Sequence, residues 1–156
     1  MTPGINVASK ARVAHQIHEY EHDPNERSYG AEAADKLGVS PDRVFKTLVV
    51  AIDGKALAVA VIPVDTTLSM KQIARACGGK KAAMAPPDQV QRSTGYVLGG
   101  VSPLGQKRAL KTFIDGSAQD HNTVFVSAGR RGLEIELAPA DLAALVRGQF
   151  VALTQA

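Results

Sequence analysis

The sequence holds one cysteine, no tryptophan, three tyrosines and four phenylalanines among 156 residues. A single cysteine excludes an internal disulfide and any cysteine-based zinc site, which fits a reducing compartment. With aromatics at 4%, the core has to be aliphatic, made of Ala, Val, Leu and Ile. No apolar run approaches the roughly 18 residues of a membrane span, and the first residues lack the charged-then-apolar layout of a secretion signal. A cytoplasmic protein with no membrane partner is expected. Linkers, repeats and low-complexity blocks are missing too, so residues 1–156 read as one domain. Such a chain buries about two-thirds of the surface it exposes when unfolded. Charge is nearly balanced, with 18 Lys and Arg against 15 Asp and Glu. The resulting +3 permits an RNA or phosphate-bearing ligand without demanding one.

Helices and strands intermix along the chain. Thr2-Pro3 is an N-cap followed by Pro at the first helical position, and apolar spacing through Val7, Ala11 and Ala14 carries a helix to about His15. Gln16 to His22 alternates as a strand, placing Gln16, His18, Tyr20 and His22 on one face. Asp23-Pro24-Asn25 ends it. A helix from Tyr29 to Leu37 stops at Gly38, and Ser40-Pro41-Asp42 opens a short helical turn. Two apolar strands, Val44–Ile52 and Ala56–Ile62, flank the hairpin signal Asp53-Gly54, and runs this apolar are expected to be covered on both faces. Ser69 caps a helix that carries Met70, Ile73, Ala74 and Cys77 on one side and ends at Gly78-Gly79. A short helix begins at Pro86-Pro87-Asp88. Thr112–Asp115, Thr123–Ser127 and Leu133–Leu137 read as strands, Pro139–Arg147 as a helix and Gln149–Leu153 as a last short strand. The fold class is α+β, with a mixed or antiparallel sheet and helices packed on it.

Between Arg92 and Arg108 lie four glycines, a proline and three hydroxyl residues, with basic residues at both ends. Gly99-Gly100 can present bare amides to a ligand, and successive N–H groups in such a turn bind anions or carbonyl oxygens. The spacing matches neither a P-loop nor a dinucleotide fingerprint, and a glycine-rich connection with a solvated end is the plain alternative. Lys46 shares a strand face with Val44, Leu48, Val50 and Ile52. It either snorkels to the strand end or points its amine into a pocket, toward a phosphate or developing oxyanion. Cys77 reads as a small core hydrophobe. His15, His18 and His22 lack any recognised zinc spacing, and no metal or cofactor is expected. Ser93, Ser102 and Ser127 lack a nucleophile-elbow motif. Glu134 and Glu136 share a face, either on a solvated edge or toward a basic pocket. Arg130-Arg131 reads as a solvated basic turn or a phosphate contact.

Several of these stretches together resemble one family. Tyr20-Glu-His-Asp-Pro24, Val44-Phe-Lys46-Thr47-Leu, Gln91-Arg-Ser-Thr-Gly-Tyr, Gly99-Gly100-Val-Ser-Pro-Leu-Gly105 and Arg131-Gly-Leu-Glu134-Ile-Glu-Leu are similar to the YbaK proteins. These are free-standing Cys-tRNA(Pro) deacylases, related to the editing domain inserted in bacterial prolyl-tRNA synthetases. The resemblance covers essentially the whole chain. It implies a compact, largely antiparallel, barrel-like sheet with surrounding helices. The implied activity is removal of cysteine from mischarged tRNA(Pro) in trans, with prolyl-tRNA synthetase as a partner. Lys46 matches the family's essential lysine, and Tyr20, Tyr29, Thr47, Gly99, Ser127 and Glu134 match pocket positions. Tyr29 replaces the usual Phe and Glu134 the frequent Asp. Gly100, through its amide, is expected beside the substrate carbonyl. In the mechanism proposed for the family, the substrate's own thiol attacks the ester, which requires no protein nucleophile and no metal. The rival readings are a deacylase for Ala-tRNA(Pro) or Ser-tRNA that uses a positioned water, and a non-catalytic module that binds tRNA or a synthetase.

Overall fold

A computed structural model describes residues 1–26 and 28–155. Helix α1 spans Pro3–Ala11, and Thr2 caps it by accepting from the Ile5 amide at 3.2 Å. It stops earlier than the spacing suggests. Arg12 turns left-handed at φ 58°, and Val13 packs on the core. His15 is thereby free to begin strand β1 (His15–Glu19) opposite Leu137. Pairing with a waiting strand outweighs about one more turn of weak helix. Helix α2 is Tyr29–Leu37, closed by Gly38, and a 3₁₀ turn follows at Pro41–Arg43.

Strands β2 (Phe45–Ile52) and β3 (Ala56–Pro63) form the expected hairpin. Asp53 and Gly54 both take positive φ, 54° and 70°, in a three-residue connection between the paired Ile52 and Ala56, closed by the Lys55 amide donating to the Ile52 carbonyl at 3.0 Å. The Asp53 carboxylate then accepts from the amides of Lys80 and Lys81, at 3.0 and 2.8 Å. Those bonds dock a strand with no sequence signal, β4 (Ala82–Met84), antiparallel to the end of β2. Three residues, two of them alanine, carry almost no β-propensity, so β4 exists through its dock rather than its composition. Between β3 and β4 lies helix α3 (Met70–Ala76), capped by Ser69. Helix α4 (Pro87–Thr94) follows β4. The remaining elements are β5 (Lys111–Asp115), β6 (Val124–Arg130), β7 (Leu133–Leu137), α5 (Pro139–Val146) and β8 (Gln149–Val151).

The strands make two open sheets in place of the expected single barrel-like one. One has the order β4-β2-β3-β5-β8 and the other β1-β7-β6. Four pairings are antiparallel, while β3-β5 and β5-β8 are parallel. An isolated bridge, Val44 to Phe125, joins the two sheets. The main aliphatic core includes Phe45, Val59, Val61, Val126 and Ile135, with Leu142 of α5 packed among them. A second core, Val50, Ala60, Ile62, Ile73 and Leu153, fills the other face of β2 and β3. Both faces of that hairpin are therefore covered, as its apolar runs require.

The glycine-rich stretch is a packed loop anchored from behind. Tyr96 is buried and its hydroxyl donates to the Leu104 carbonyl at 2.6 Å, while Ser102 Oγ accepts from the Leu104 amide at 3.1 Å. Helix α1 presses on this loop so closely that a Cβ at Gly105, which has φ 68°, would lie 2.6 Å from the Pro3 backbone. Gly105→Ala is accordingly expected to cost about 1–3 kcal/mol, from left-handed strain plus overpacking. Urea denaturation checks this: an unchanged midpoint would mean the helix does not brace the loop.

Candidate active site

Along one edge, β2 has β4 only opposite Val50–Ile52, with one more bond from the Ala85 amide to the Val49 carbonyl at 3.0 Å. At its other end stands the Val44–Phe125 bridge. Among the described residues no ladder covers Phe45 to Leu48 on that edge, and a cavity of about 410 Å³ opens there between the two sheets. Ladder alternation turns the backbone of every second residue the same way. Because Val49 faces β4, the Thr47 amide and carbonyl face the open edge.

Lys46, Tyr20, Tyr29, Thr47, Gly99, Ser127 and Glu134 all line this cavity. Gly100 does not. Its amide is spent on the Val97 carbonyl at 3.0 Å, and a Cβ there would meet the Arg130 backbone at 2.7 Å. The expected pair of free glycine amides is thus reduced to Gly99. Lys46 is half-buried, and burial holds its amine below the ordinary lysine value, partly offset by Asp65. Among the described residues it makes no ion pair within 4 Å.

Glu134 is 6% exposed, and its side chain has no hydrogen-bond partner among the described residues. Burial alone pushes its carboxyl up to about 8. Its strand neighbour Glu136 has a different fate. It pairs with His18 at 2.9 Å and Arg43 at 3.3 Å, accepts from Thr123, and titrates below the usual range. Opposite Glu134 on β6 is Ser127, whose Oγ accepts from the Gly129 amide at 3.1 Å. The register shifts just beyond it, a bulge of the kind that re-aims side chains beside a site. Tyr20 follows β1, and burial first, then Glu134 and Glu32, push its hydroxyl up to about 12.

Tyr29 forms the rim. The Arg131 guanidinium lies 4.3 Å from its ring centroid, and a Cβ at Gly99 would lie 3.0 Å from the ring. Arg131 is not a solvated turn residue. It pairs with buried Glu32 at 3.1 Å and donates to the carbonyls of Asp23 and Glu26 at 2.7 and 2.8 Å. Glu32 also accepts from the Asp23 amide at 2.6 Å. This ion pair ties the segment before α2 to the wall under Tyr29. Sequence reasoning missed it, because Glu32 on a nine-residue helix looks like an ordinary solvated acid. It also missed Val64 and Leu98, which line the cavity from loops without any motif.

Other candidates stand elsewhere. Cys77 packs on the second core, and burial raises its thiol pKa. Ser102 and Ser93 are buried in the braced loop and α4. His15 meets the Val13 carbonyl at 2.8 Å, His18 is held by Glu136, and His22 is exposed. No histidine or cysteine lines the cavity among the described residues.

A cavity between two sheets, with a lone lysine and a buried carboxyl, does not by itself name a chemistry. The sequence family described as the aminoacyl-tRNA editing domain matches residues 23–145. The chain belongs to that family. An Enterococcus faecalis protein named "Putative Cys-tRNA(Pro)/Cys-tRNA(Cys) deacylase EbsC" is 41% identical over 154 residues, 98% of this chain and 93% of that protein. A proline–tRNA ligase of Maridesulfovibrio salexigens is 34% identical over 76 residues, 49% of this chain but 13% of the ligase. A crystal structure described as "a putative trans-editing enzyme for prolyl tRNA synthetase" superposes with TM-score 0.85 at 22% identity, covering 97% of this chain and 95% of that one. At that identity the superposition shows the editing-domain fold. The protein is thus an aminoacyl-tRNA editing domain. No helix among the described residues is long and apolar enough to cross a membrane.

Proposed function

We propose that this editing domain deacylates Cys-tRNA(Pro) in trans, with Lys46 as its catalytic residue. The reading is carried by one observation. The cavity gathers a lysine amine, a buried carboxyl and an unpaired strand edge, yet no Ser-His or Cys-His pair lines it among the described residues. An aminoacyl ester is already activated, so positioning and oxyanion stabilisation suffice. The substrate thiol attacks the ester carbonyl carbon. The new C–S bond closes a thiolactone, the C–O bond to ribose breaks, and the thiol proton ends on the ribose oxygen. Lys46 offsets the negative charge on the carbonyl oxygen during the attack, and the Thr47 amide orients the acyl group along the strand edge. Glu134 receives the α-ammonium of the aminoacyl group. A carboxyl that resists ionisation when alone gives up its proton when a cation arrives, so a free α-amine is favoured. The name of the E. faecalis relative supports cysteine as the acyl group, on tRNA(Pro) or tRNA(Cys), and the similarity to part of a proline–tRNA ligase supports tRNA(Pro).

The test is a panel of Cys-tRNA(Pro), Cys-tRNA(Cys), Ala-tRNA(Pro) and Pro-tRNA(Pro), with and without EDTA. Rapid loss of cysteine alone, unaffected by EDTA, is expected. Comparable loss of alanine would move the reading to a water-using deacylase. A weak net charge of +3 leaves tRNA selection to a partner, so prolyl-tRNA synthetase is expected to raise the rate on Cys-tRNA(Pro). No change on adding it would remove the synthetase from the account.

A further inference from the structure

Beside the cavity, and continuous with it, runs an apolar groove of about 280 Å³. Thr47, Leu48, Leu98 and Val101 line both spaces. The groove follows the same open edge of β2 until the Ala85–Val49 bond closes it. Its far wall is Met84 at the end of β4 and Ala85 just after it, with Pro87 and Val90 of α4. No charged residue lines it among the described residues. Met84 and Leu98 at its mouth are 49% and 58% exposed. Large apolar side chains left exposed together beside a site mark a binding surface. A second observation also points to a ligand. Thr47 Oγ1, on the wall the two spaces share, is buried with no hydrogen-bond partner among the described residues, and buried hydroxyls are rarely left so.

An edge with a polar cavity at one end and an apolar slot at the other fits a substrate of two unlike lobes on a short tether. The 3′ end of an aminoacyl-tRNA is such a molecule, with a charged aminoacyl ester, a ribose and a flat, uncharged adenine. We propose that the apolar groove is the subsite for the terminal adenine base of the tRNA, with the ribose over Thr47. The inference rests on the proposed function, since it presumes that the ester occupies the larger cavity. Aliphatic walls and the Met84 thioether bury the base faces, and sulfur–aromatic contact is favourable. Adenine is the same on every tRNA, so the groove contributes affinity without choosing among tRNAs.

The experiment compares two acceptor-end substrates carrying the same cysteinyl ester, one with adenine at the 3′ terminus and one abasic there. Wild-type KM is expected to rise at least tenfold on losing the base. Met84→Glu, at an exposed position, and Ala85→Met, which fills the slot, are each expected to bring that ratio close to one by weakening only the adenine-bearing substrate. Thermal unfolding of both variants monitors folding. Equal wild-type KM for the two substrates, or a ratio that survives in both folded variants, would overturn the subsite. So would variants that change the preference among acyl groups and leave the base preference standing, because the groove would then hold the amino-acid side chain. Failure of the wild-type protein to cleave either substrate would instead overturn the deacylase reading on which the subsite rests.

Discussion

Lys46→Ala is expected to slow single-turnover deacylation of Cys-tRNA(Pro) by about 10²–10³-fold, the usual cost of removing one preorganised group at a developing oxyanion. The fold should survive. Lys46 is half-buried near the start of β2, and its backbone pairs with Ile62 whatever side chain it carries. Truncation also removes a desolvated cation that makes no ion pair among the described residues, so stability should hold or rise. The pH profile gives a second readout. Because burial lowers the pKa of this amine, the rate should fall on the alkaline side before ordinary lysines titrate. That limb should vanish in the variant's residual activity. A variant that keeps wild-type rates would take Lys46 out of the mechanism.

Glu134→Gln is expected to stabilise the protein at neutral pH by about 3 kcal/mol, and by about 1 kcal/mol or less at pH 5. The sign follows from the raised carboxyl, about 8 in the folded protein against 4.5 in its ordinary state. Well below pH 4.5 both folded and unfolded chains hold the proton. As pH rises past that point the unfolded chain ionises while the folded one cannot, so the folded state loses stability up to about pH 8. Glutamine copies the neutral carboxyl and does not titrate. Urea denaturation of both proteins at pH 5 and pH 7 reads the difference, and a stability gap independent of pH would contradict it. The same change should raise KM for aminoacyl-tRNA, because the α-ammonium loses its counter-charge. A more stable but poorer enzyme is the pattern of a residue kept for binding at a cost to the fold.

The lysine was legible because a charge on an apolar strand face is conspicuous, and both strands of its hairpin carry strong β-propensity. The fate of the two acids on β7 was not. Glu134 and Glu136 alternate identically with Ile135, yet Glu136 meets Arg43, His18 and Thr123 while Glu134 is buried alone. Only the neighbouring strands distinguish them, and those partners come from distant parts of the chain. The Glu32–Arg131 pair was hidden for the same reason, its members being 99 residues apart. Strand β4 was illegible because it is held by the Asp53 carboxylate rather than by its own residues. The glycine-rich loop stood out by its composition, but its free amides were over-counted, since the Gly100 amide is bonded to the Val97 carbonyl.

The most direct test of the central claim replaces the substrate's cysteine with 2-aminobutyrate, which has nearly the same size but no thiol. Cys-tRNA(Pro) and 2-aminobutyryl-tRNA(Pro) would be given to the pure protein under single-turnover conditions. Cysteine is expected to leave as a thiolactone at least 100-fold faster than aminobutyrate leaves in any form, because the attacking group belongs to the substrate. Equal rates, with free amino acid released from both, would show that a water held in the cavity does the work and would contradict it.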